Sequence, residues 1–389
     1  MAAQGSTEDG ELSSLGPLRG VRVLDLSALG PGPFCSMLLA DFGADVISVE
    51  RPDAPTFDPS AFFSRGKRSA IVNLRAPDGP DVIARLADRA DVLLESNRPG
   101  TMERRGLGPD VLCARNPRLI YTRLTGWGQD GPYRNRAGHD INYIAVSGAL
   151  GVIGEETPVP PLSLVGDIGG GSMVTAFGIL MAIIERSATG RGQVIDASIA
   201  DGSALLNTPQ LAELSAGRWA GRGRGMLSGA APFYGVYRCA DDRWFAVGAI
   251  EPKFYAEFLS VLGIDDQAGE HQFDAACWPA LRERVASVFR DRPMAHWAAA
   301  FSDVDGCGVP VLDLEELADD PHLSARGTVV RDGGEVAAAP APRLSASPGR
   351  LRPKPAGRGA HTREVLREAG LGDDEIGRLE ANGTVAAQS

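Results

Sequence analysis

The chain has 389 residues, 43% hydrophobic and 23% charged, enough apolar material for a buried core and a length that suits two domains. Its formal net charge of -11 opposes nonspecific attraction to nucleic acid or anionic membrane. The five cysteines, Cys35, Cys113, Cys239, Cys277 and Cys307, are odd in number, far apart and without a CxxC pair, which argues against a disulfide framework and a zinc–thiolate site.

Residues 1–16 read as a disordered tail, acidic and without the basic and apolar regions of a secretion signal, so a cytoplasmic location is expected. Val21–Leu26 then reads as a strand, the loop Ala28–Pro33 follows, Phe34–Phe42 reads as a helix and Ala44–Glu50 as a second strand. This strand–loop–helix–strand unit opens a parallel sheet. Further strands are expected at Ala70–Leu74, Val92–Glu95 and Leu119–Leu124, with a helix over Pro77–Leu86. A helical stretch, Ser172–Glu185, precedes a strand at Gln193–Ala197, and its apolar part ends at Ile184, too short to span a bilayer.

Residues 215–230, rich in glycine and arginine, read as a loop or crossing segment. Tyr234–Cys239 and Trp244–Val247 make a hairpin, and helical patterns follow at Pro252–Leu262, Leu281–Phe289 and Met294–Phe301. Val336–Pro353 reads as a wandering return to the first domain, and His361–Ala369 as an amphipathic helix, with another starting at Asp373. The expected organisation is α/β: a large parallel-sheet domain over 17–200, a linker to 234, a smaller α+β domain over 235–315, a linker over 316–334 and a C-terminal return over 335–389. Ligand loops are expected at the strand C-termini.

Two polar islands carry the chemistry, Gly138-His139-Asp140-Ile141-Asn142-Tyr143 and Gly166-Asp167-Ile168-Gly169-Gly170-Gly171-Ser172. A histidine and a carboxylate joined in a glycine-lined pocket can pass a proton in either direction. Each residue also has a plain reading: His139 as a structural histidine bonded to Asp140, and Asp167 as the cap of the following helix. Glu251 precedes Pro252, and is either a cap or an acid that orients His139. Arg51, Arg65, Lys67, Arg68 and Arg98 lie at or near strand ends, where convergence on one face would seat a phosphorylated ligand. A dinucleotide fingerprint is absent, because Cys35 stands where Gly30-x-Gly32 needs its third glycine and two prolines remove N–H groups. No P-loop or HExxH occurs.

Taken together, these residues resemble the family III CoA-transferase superfamily of CaiB/BaiF type, and within it the α-methylacyl-CoA racemase branch. The likeness rests on Ala40-Asp41-Phe42-Gly43-Ala44-Asp45-Val46, Arg65-Gly66-Lys67-Arg68-Ser69, Thr125-Gly126-Trp127-Gly128-Gln129-Asp130-Gly131-Pro132, the two polar islands, and Ile250-Glu251-Pro252-Lys253-Phe254-Tyr255. The resemblance implies a Rossmann-like large domain completed by the C-terminus, a small α+β domain and an interlocked homodimer with the active site shared between subunits.

It further implies an acyl-CoA substrate and no cofactor beyond the CoA of the thioester; the net charge and the short apolar run set the separate expectation of no nucleic-acid and no membrane partner. His139 and Asp167 would be the two bases of a 1,1-proton transfer, with Asp140 and Glu251 of the partner subunit orienting His139. The basic loop residues would hold CoA. The family's transferases instead use an aspartate at the Asp167 position to form an aspartyl anhydride, and their pattern lacks the histidine.

Overall fold

The computed structural model describes residues 16–28, 30–53, 62–264, 271–332 and 334–387. The expected disordered tail lies outside these residues except for Gly16, and so does Leu29 of the first loop. The chain divides into two compact units, one of Met1–Ala149, Leu162–Asn207 and Ala338–Ser389, the other of Leu150–Pro161 and Thr208–Ala337.

The first unit contains strands β1 (Arg22–Asp25), β2 (Asp45–Glu50), β3 (Lys67–Val72), β4 (Val92–Glu95), β5 (Ile120–Thr125) and β6 (Val194–Ser198). They form a parallel sheet in the order β3-β2-β1-β4-β5-β6, with the short C-terminal strand Val385–Ala386 antiparallel on β3. The order reverses direction between β1 and β4, the point at which doubly wound sheets open a ligand crevice beyond the strand C-termini.

Alternation along the strands supplies a core to each face. Val23, Val46, Val92, Leu94 and Ile120 pack with Cys35, Leu39 and Ala40 of helix α1 (Pro31–Asp41) on one side. Leu24, Ile47, Leu93 and Tyr121 pack on the other, with Ile83 and Leu86 of α2 (Gly79–Ala87) and Leu112 of α3 (Pro109–Arg115). The C-terminal helices Thr362–Glu368 and Asp373–Ala381 add Val365, Leu366, Ile376 and Leu379 to this second core, so the C-terminus completes the large unit. β3 begins at Lys67 rather than at Ala70, because its register runs from Val46↔Lys67 to Glu50↔Ile71. The charged start of this strand therefore lies in the sheet.

Helix α4 (Asp140–Val146) follows His139. The apolar stretch near residue 175 is longer than its sequence pattern: a π-helical segment, Leu164–Met173, continues directly into α5 (Val174–Thr189). The continuous helix over 164–189 has the length and composition to cross a membrane, which corrects the expectation that it is too short. Its inner side is committed to the core through Ala176, Ile179 and Ala182. Its outer side exposes Met173, Phe177, Leu180, Met181 and Ile184. Helix α6 (Ile199–Leu206) crosses the π-helical segment backbone to backbone, and a Cβ on Gly202 would sit 1.9 Å from the Gly170 carbonyl oxygen.

In the second unit, Tyr234–Arg238, Trp244–Gly248 and Gly308–Pro310 form an antiparallel sheet. Helices Pro252–Leu262, Trp278–Arg290 and Met294–Phe301 cover it through Phe258, Phe289, Trp297 and Phe301. The glycine-rich segment near residue 220 is pinned within this unit: the Arg222 guanidinium donates to the carbonyls of Gly151, Glu155 and Glu156 at 2.7 to 3.1 Å.

Candidate active site

Two loops and a helical turn build the site in the first unit. The loop after β1 ends at Gly30, which takes φ +55° before Pro31 and Pro33 start α1. The segment after β5 carries Trp127, whose ring packs edge-on against Tyr143 at 4.8 Å. The Tyr143 hydroxyl donates to the Gly138 carbonyl, and the Asn142 side-chain oxygen accepts from the His139 N–H at 3.0 Å. Both bonds fix the backbone of His139, the residue that caps α4, while its imidazole is exposed. His139 is therefore not a buried structural histidine.

Asp167 lies inside the first turn of the π-helical segment, whose capping residue is Ser163, so it is not a helix cap. The wide turn is closed by an Ile168 N–H bond to the Ser163 carbonyl at 3.0 Å, the five-residue spacing of a π-helix, a geometry that recurs at functional sites. Asp140 faces Asp167 rather than the imidazole: the Asp167 N–H donates to Asp140 Oδ1 at 2.7 Å. Asp140, expected with Glu251 to orient His139, thus also fixes the backbone of Asp167. The contact needs Gly166, because a Cβ there would fall 2.2 Å from Asp140 Oδ1. Gly30 approaches from the other side, its Cβ direction 3.4 Å from Asp167 Oδ2.

This arrangement sets the electrostatics. Burial raises the Asp167 carboxyl to about 6, the Asp140 charge adds to the rise and His139 opposes it. Burial also raises the Tyr143 hydroxyl, with Asp167 adding to the effect and Arg98 countering it. Asp167 thus feels the charges of Asp140 and His139, and Tyr143 feels those of Asp167 and Arg98. A carboxyl near 6 beside a histidine exchanges protons near neutral pH, which suits general acid–base chemistry.

The basic residues divide into two groups. Arg98, after β4, and Arg51, after β2, are exposed at the C-terminal ends of their strands. Arg65, Lys67 and Arg68 stand at the start of β3 with their charges already committed: the Arg65 and Arg68 pairs lie at the opposite end of the sheet from the crevice, while the Lys67 side chain reaches back to Asp25 at the end of β1. Arg65 pairs with Asp41 at 2.6 Å and donates to the Ala338 carbonyl. Arg68 pairs with Asp45, Glu364 and Glu368 at 2.7 to 2.9 Å. The Lys67 ammonium is buried and donates to Ser36 Oγ at 2.7 Å, the Pro33 carbonyl at 2.8 Å and Asp25 at 3.3 Å. Burial lowers its pKa, with Asp25 opposing the shift.

The expectation that all five converge on one phosphate seat is corrected, because nearness to a strand end in sequence does not say which end. Arg104 was missed. It lies in a short 3-10 turn, Glu103–Arg105, and lines a cavity of about 490 Å³ with Gly100, Glu103, Arg123, Gln129 and Arg134. Arg123 Nη2 and both amide atoms of Gln129 are buried there without partners.

Glu251 belongs to the second unit, at the cap position of Pro252–Leu262, exposed and making no side-chain cap bond. A possible metal-holding group, His271, Asp274 and Cys277, also lies in that unit, its donor atoms within 4.8 Å of one another. Neither polar island includes it.

A model of CoA-transferase family III matches residues 18–362. The chain belongs to CoA-transferase family III. Two family relatives are alpha-methylacyl-CoA racemases: the Mus musculus protein is 44% identical over 94% of this chain and 96% of its own length. The Homo sapiens protein is 43% identical over the same shares. A succinyl-CoA–D-citramalate CoA-transferase of Chloroflexus aurantiacus is 34% identical over 94% of the chain and 97% of its own length. Among solved structures, a CaiB/BaiF family protein from Brucella suis superposes with TM-score 0.80 at 26% identity, covering 91% of this chain and 99% of that one. The family thus includes proteins named for two reactions, and the histidine beside Asp167 bears on which one this chain performs.

The raised Asp167 carboxyl has a stability consequence. Its folded-state value lies above the ordinary 3.8, so the ionised form costs stability as pH climbs from about 4 to about 6, and the cost stays constant above that. Asp167→Asn is expected to stabilise the protein by about 1–2 kcal/mol at pH 8, allowing for solvent screening of a half-exposed group. The gain should shrink to less than half at pH 4.5. Urea unfolding at the two pH values reads it, and an equal gain at both would contradict the assigned shift.

Proposed function

We propose that the chain is an α-methylacyl-CoA racemase, interconverting (2R)- and (2S)-2-methylacyl-CoA thioesters by two-base proton transfer. The observation that carries this reading is a carboxyl raised to about 6 within electrostatic reach of His139. The two racemases at 43–44% identity over nearly the whole chain support it.

One of His139 and Asp167 removes the proton from the carbon alpha to the thioester, and the bonding pair moves into the carbonyl as an enolate. The other delivers a proton to the opposite face, and the enolate collapses to the other enantiomer. The thioester supplies the acidity. The Asp167 N–H is occupied by Asp140 and so does not serve as an enolate donor. The positive end of the long helix that begins at Leu164 supplies the favourable field.

The expected test is NMR of either enantiomer in deuterated water without an acceptor acid. Deuterium should enter at C2 as both enantiomers converge on one mixture, and His139→Ala and Asp167→Ala should each abolish convergence. Retained C2 hydrogen together with CoA exchange into an added free acid would identify the transferase reaction through an Asp167 anhydride instead.

We assign the CoA phosphates to Arg98 and Arg104, on the crevice side of the sheet, with Arg134 across the cavity and Arg51 beyond β2. Holding CoA there aligns the alpha carbon at a distance from the handle. Replacing Arg98 or Arg104 by alanine should weaken CoA-ester binding about tenfold by calorimetry, the loss of one charged contact. Arg65→Gln and Arg68→Gln should leave the affinity unchanged, and the reverse pattern would restore the β3 residues to the site.

The exposed stripe of Met173, Phe177, Leu180, Met181 and Ile184 supports a homodimer, since so continuous an apolar surface calls for cover. Glu251 of the partner subunit then serves the His139 side. Sedimentation should give twice the 40.9 kDa chain mass, and an active monomer would exclude the shared site.

A further inference from the structure

Two buried features lie around Asp167: a hydroxyl on its own helix and a charge cluster behind the facing Gly30 loop. Ser172 is completely buried. Its Oγ lies 2.9 Å from the Asp167 carbonyl and 2.7 Å from the carbonyl of Pro31 in α1. One hydroxyl proton, shared between two acceptors, therefore bridges the turn that carries Asp167 to the start of α1. Gly171 seals the same junction, its Cβ direction 3.3 Å from Pro31 Cβ.

The α1 side of that bridge is itself pinned from below. Lys67 donates to the Pro33 carbonyl and to Ser36 Oγ. The Ser36 hydroxyl donates to Asp25, and Asp25 also accepts from the N–H and hydroxyl of Ser27 at the start of the loop. Asp25, Ser27, Ser36 and Lys67 are all buried. A buried ion pair costs desolvation and is weak support for stability as such. Here it ties both ends of the loop that brings Gly30 against Asp167 Oδ2.

We infer that Ser172, backed by the Lys67–Asp25–Ser36 cluster, is a positioning residue for Asp167, setting the carboxylate's place against the Gly30 loop. The inference rests on the racemase reading for its kinetic test but not for its spectroscopic one. A displaced Asp167 admits water and misses the alpha carbon, and a small displacement of a reacting group is costly in rate. Neither Ser172 nor Lys67 touches substrate in this account.

The test is Ser172→Ala, which removes one oxygen from a buried site and keeps the helix. In C2 deuterium exchange, kcat should fall about tenfold, the worth of one hydrogen bond, with KM for the 2-methylacyl-CoA unchanged. The pH-rate limb near 6 should move toward the ordinary carboxylate value. Infrared difference titration of the Asp167 carboxyl in protein without substrate should show the same movement, with the wild-type protein and Asp167→Asn marking the band.

Lys67→Met paired with Asp25→Asn, which removes both buried charges together, should reproduce the kcat loss and limb shift if it folds. A folded Ser172→Ala protein with unchanged kcat and an unmoved carboxyl titration would overturn the inference. So would a loss of rate in which KM rises and the titration stays in place. Wild-type protein that fails to exchange C2 hydrogen would instead sink the racemase reading, leaving the infrared result to decide the positioning role.

Discussion

The contact between the Asp167 N–H and the Asp140 carboxylate is the constraint on which the site depends. It brings two acids together in a half-buried place, and the fold accepts the electrostatic cost. Gly166 makes the approach sterically possible, the π-helical turn presents the N–H, and α4 carries Asp140 at its first residue. Asp140 then does two things at once: it fixes the backbone of its neighbour and pushes that neighbour's carboxyl toward neutrality. His139, one residue earlier, inherits its position from the same helix start.

The sheet decides where that contact is used. Its strand order reverses between β1 and β4, so the loops that follow them diverge and leave room beyond the strand ends. Gly30 comes from the first of these loops and Arg98 from the second. The proposed proton-transfer pair and the proposed phosphate seat therefore share one edge of one sheet, an arrangement that suits a substrate with a reactive thioester at one end and a charged handle at the other. The cavity beside Arg104 adds unpartnered donors to that edge. Other charges serve packing: at the opposite edge Arg68 joins β3 to the C-terminal helix through Glu364 and Glu368, and behind the Gly30 loop Lys67 braces α1 against Asp25.

Family membership narrows the chemistry without choosing it, because relatives bear the names of both racemases and transferases. The choice lies in the side chains around Asp167. A nucleophile that forms an anhydride benefits from an ionised carboxylate, whereas a proton carrier needs a carboxyl that loses and regains its proton near working pH. Burial and Asp140 together favour the second behaviour, and the proposed reading gives His139 the part of the complementary base.

Much of this protein was legible in its residues. Short apolar runs bounded by turn residues located β1, β2, β4, β5 and β6 to within a few positions, because strands covered on both faces, as β4 and β5 are, leave little room for polar residues. The two polar islands and Glu251 stood out because histidine is rare here and acids beside glycine or proline are conspicuous. What the sequence could not carry was direction and partnership. Lys67, Arg65 and Arg68 looked like a phosphate seat until the fold committed their charges to Asp25, Asp41 and Asp45. Asp140 looked like a partner for its neighbour in sequence, yet it bonds a residue 27 positions away. Ser172 looked like part of a glycine-rich turn until the fold buried its hydroxyl between two carbonyls. Local pattern determines which residues can form a strand, a helix or a proton-transfer pair, since it depends on side-chain chemistry and backbone period. Only the tertiary structure decides which charges neutralise one another, because that depends on distances the chain closes through folding.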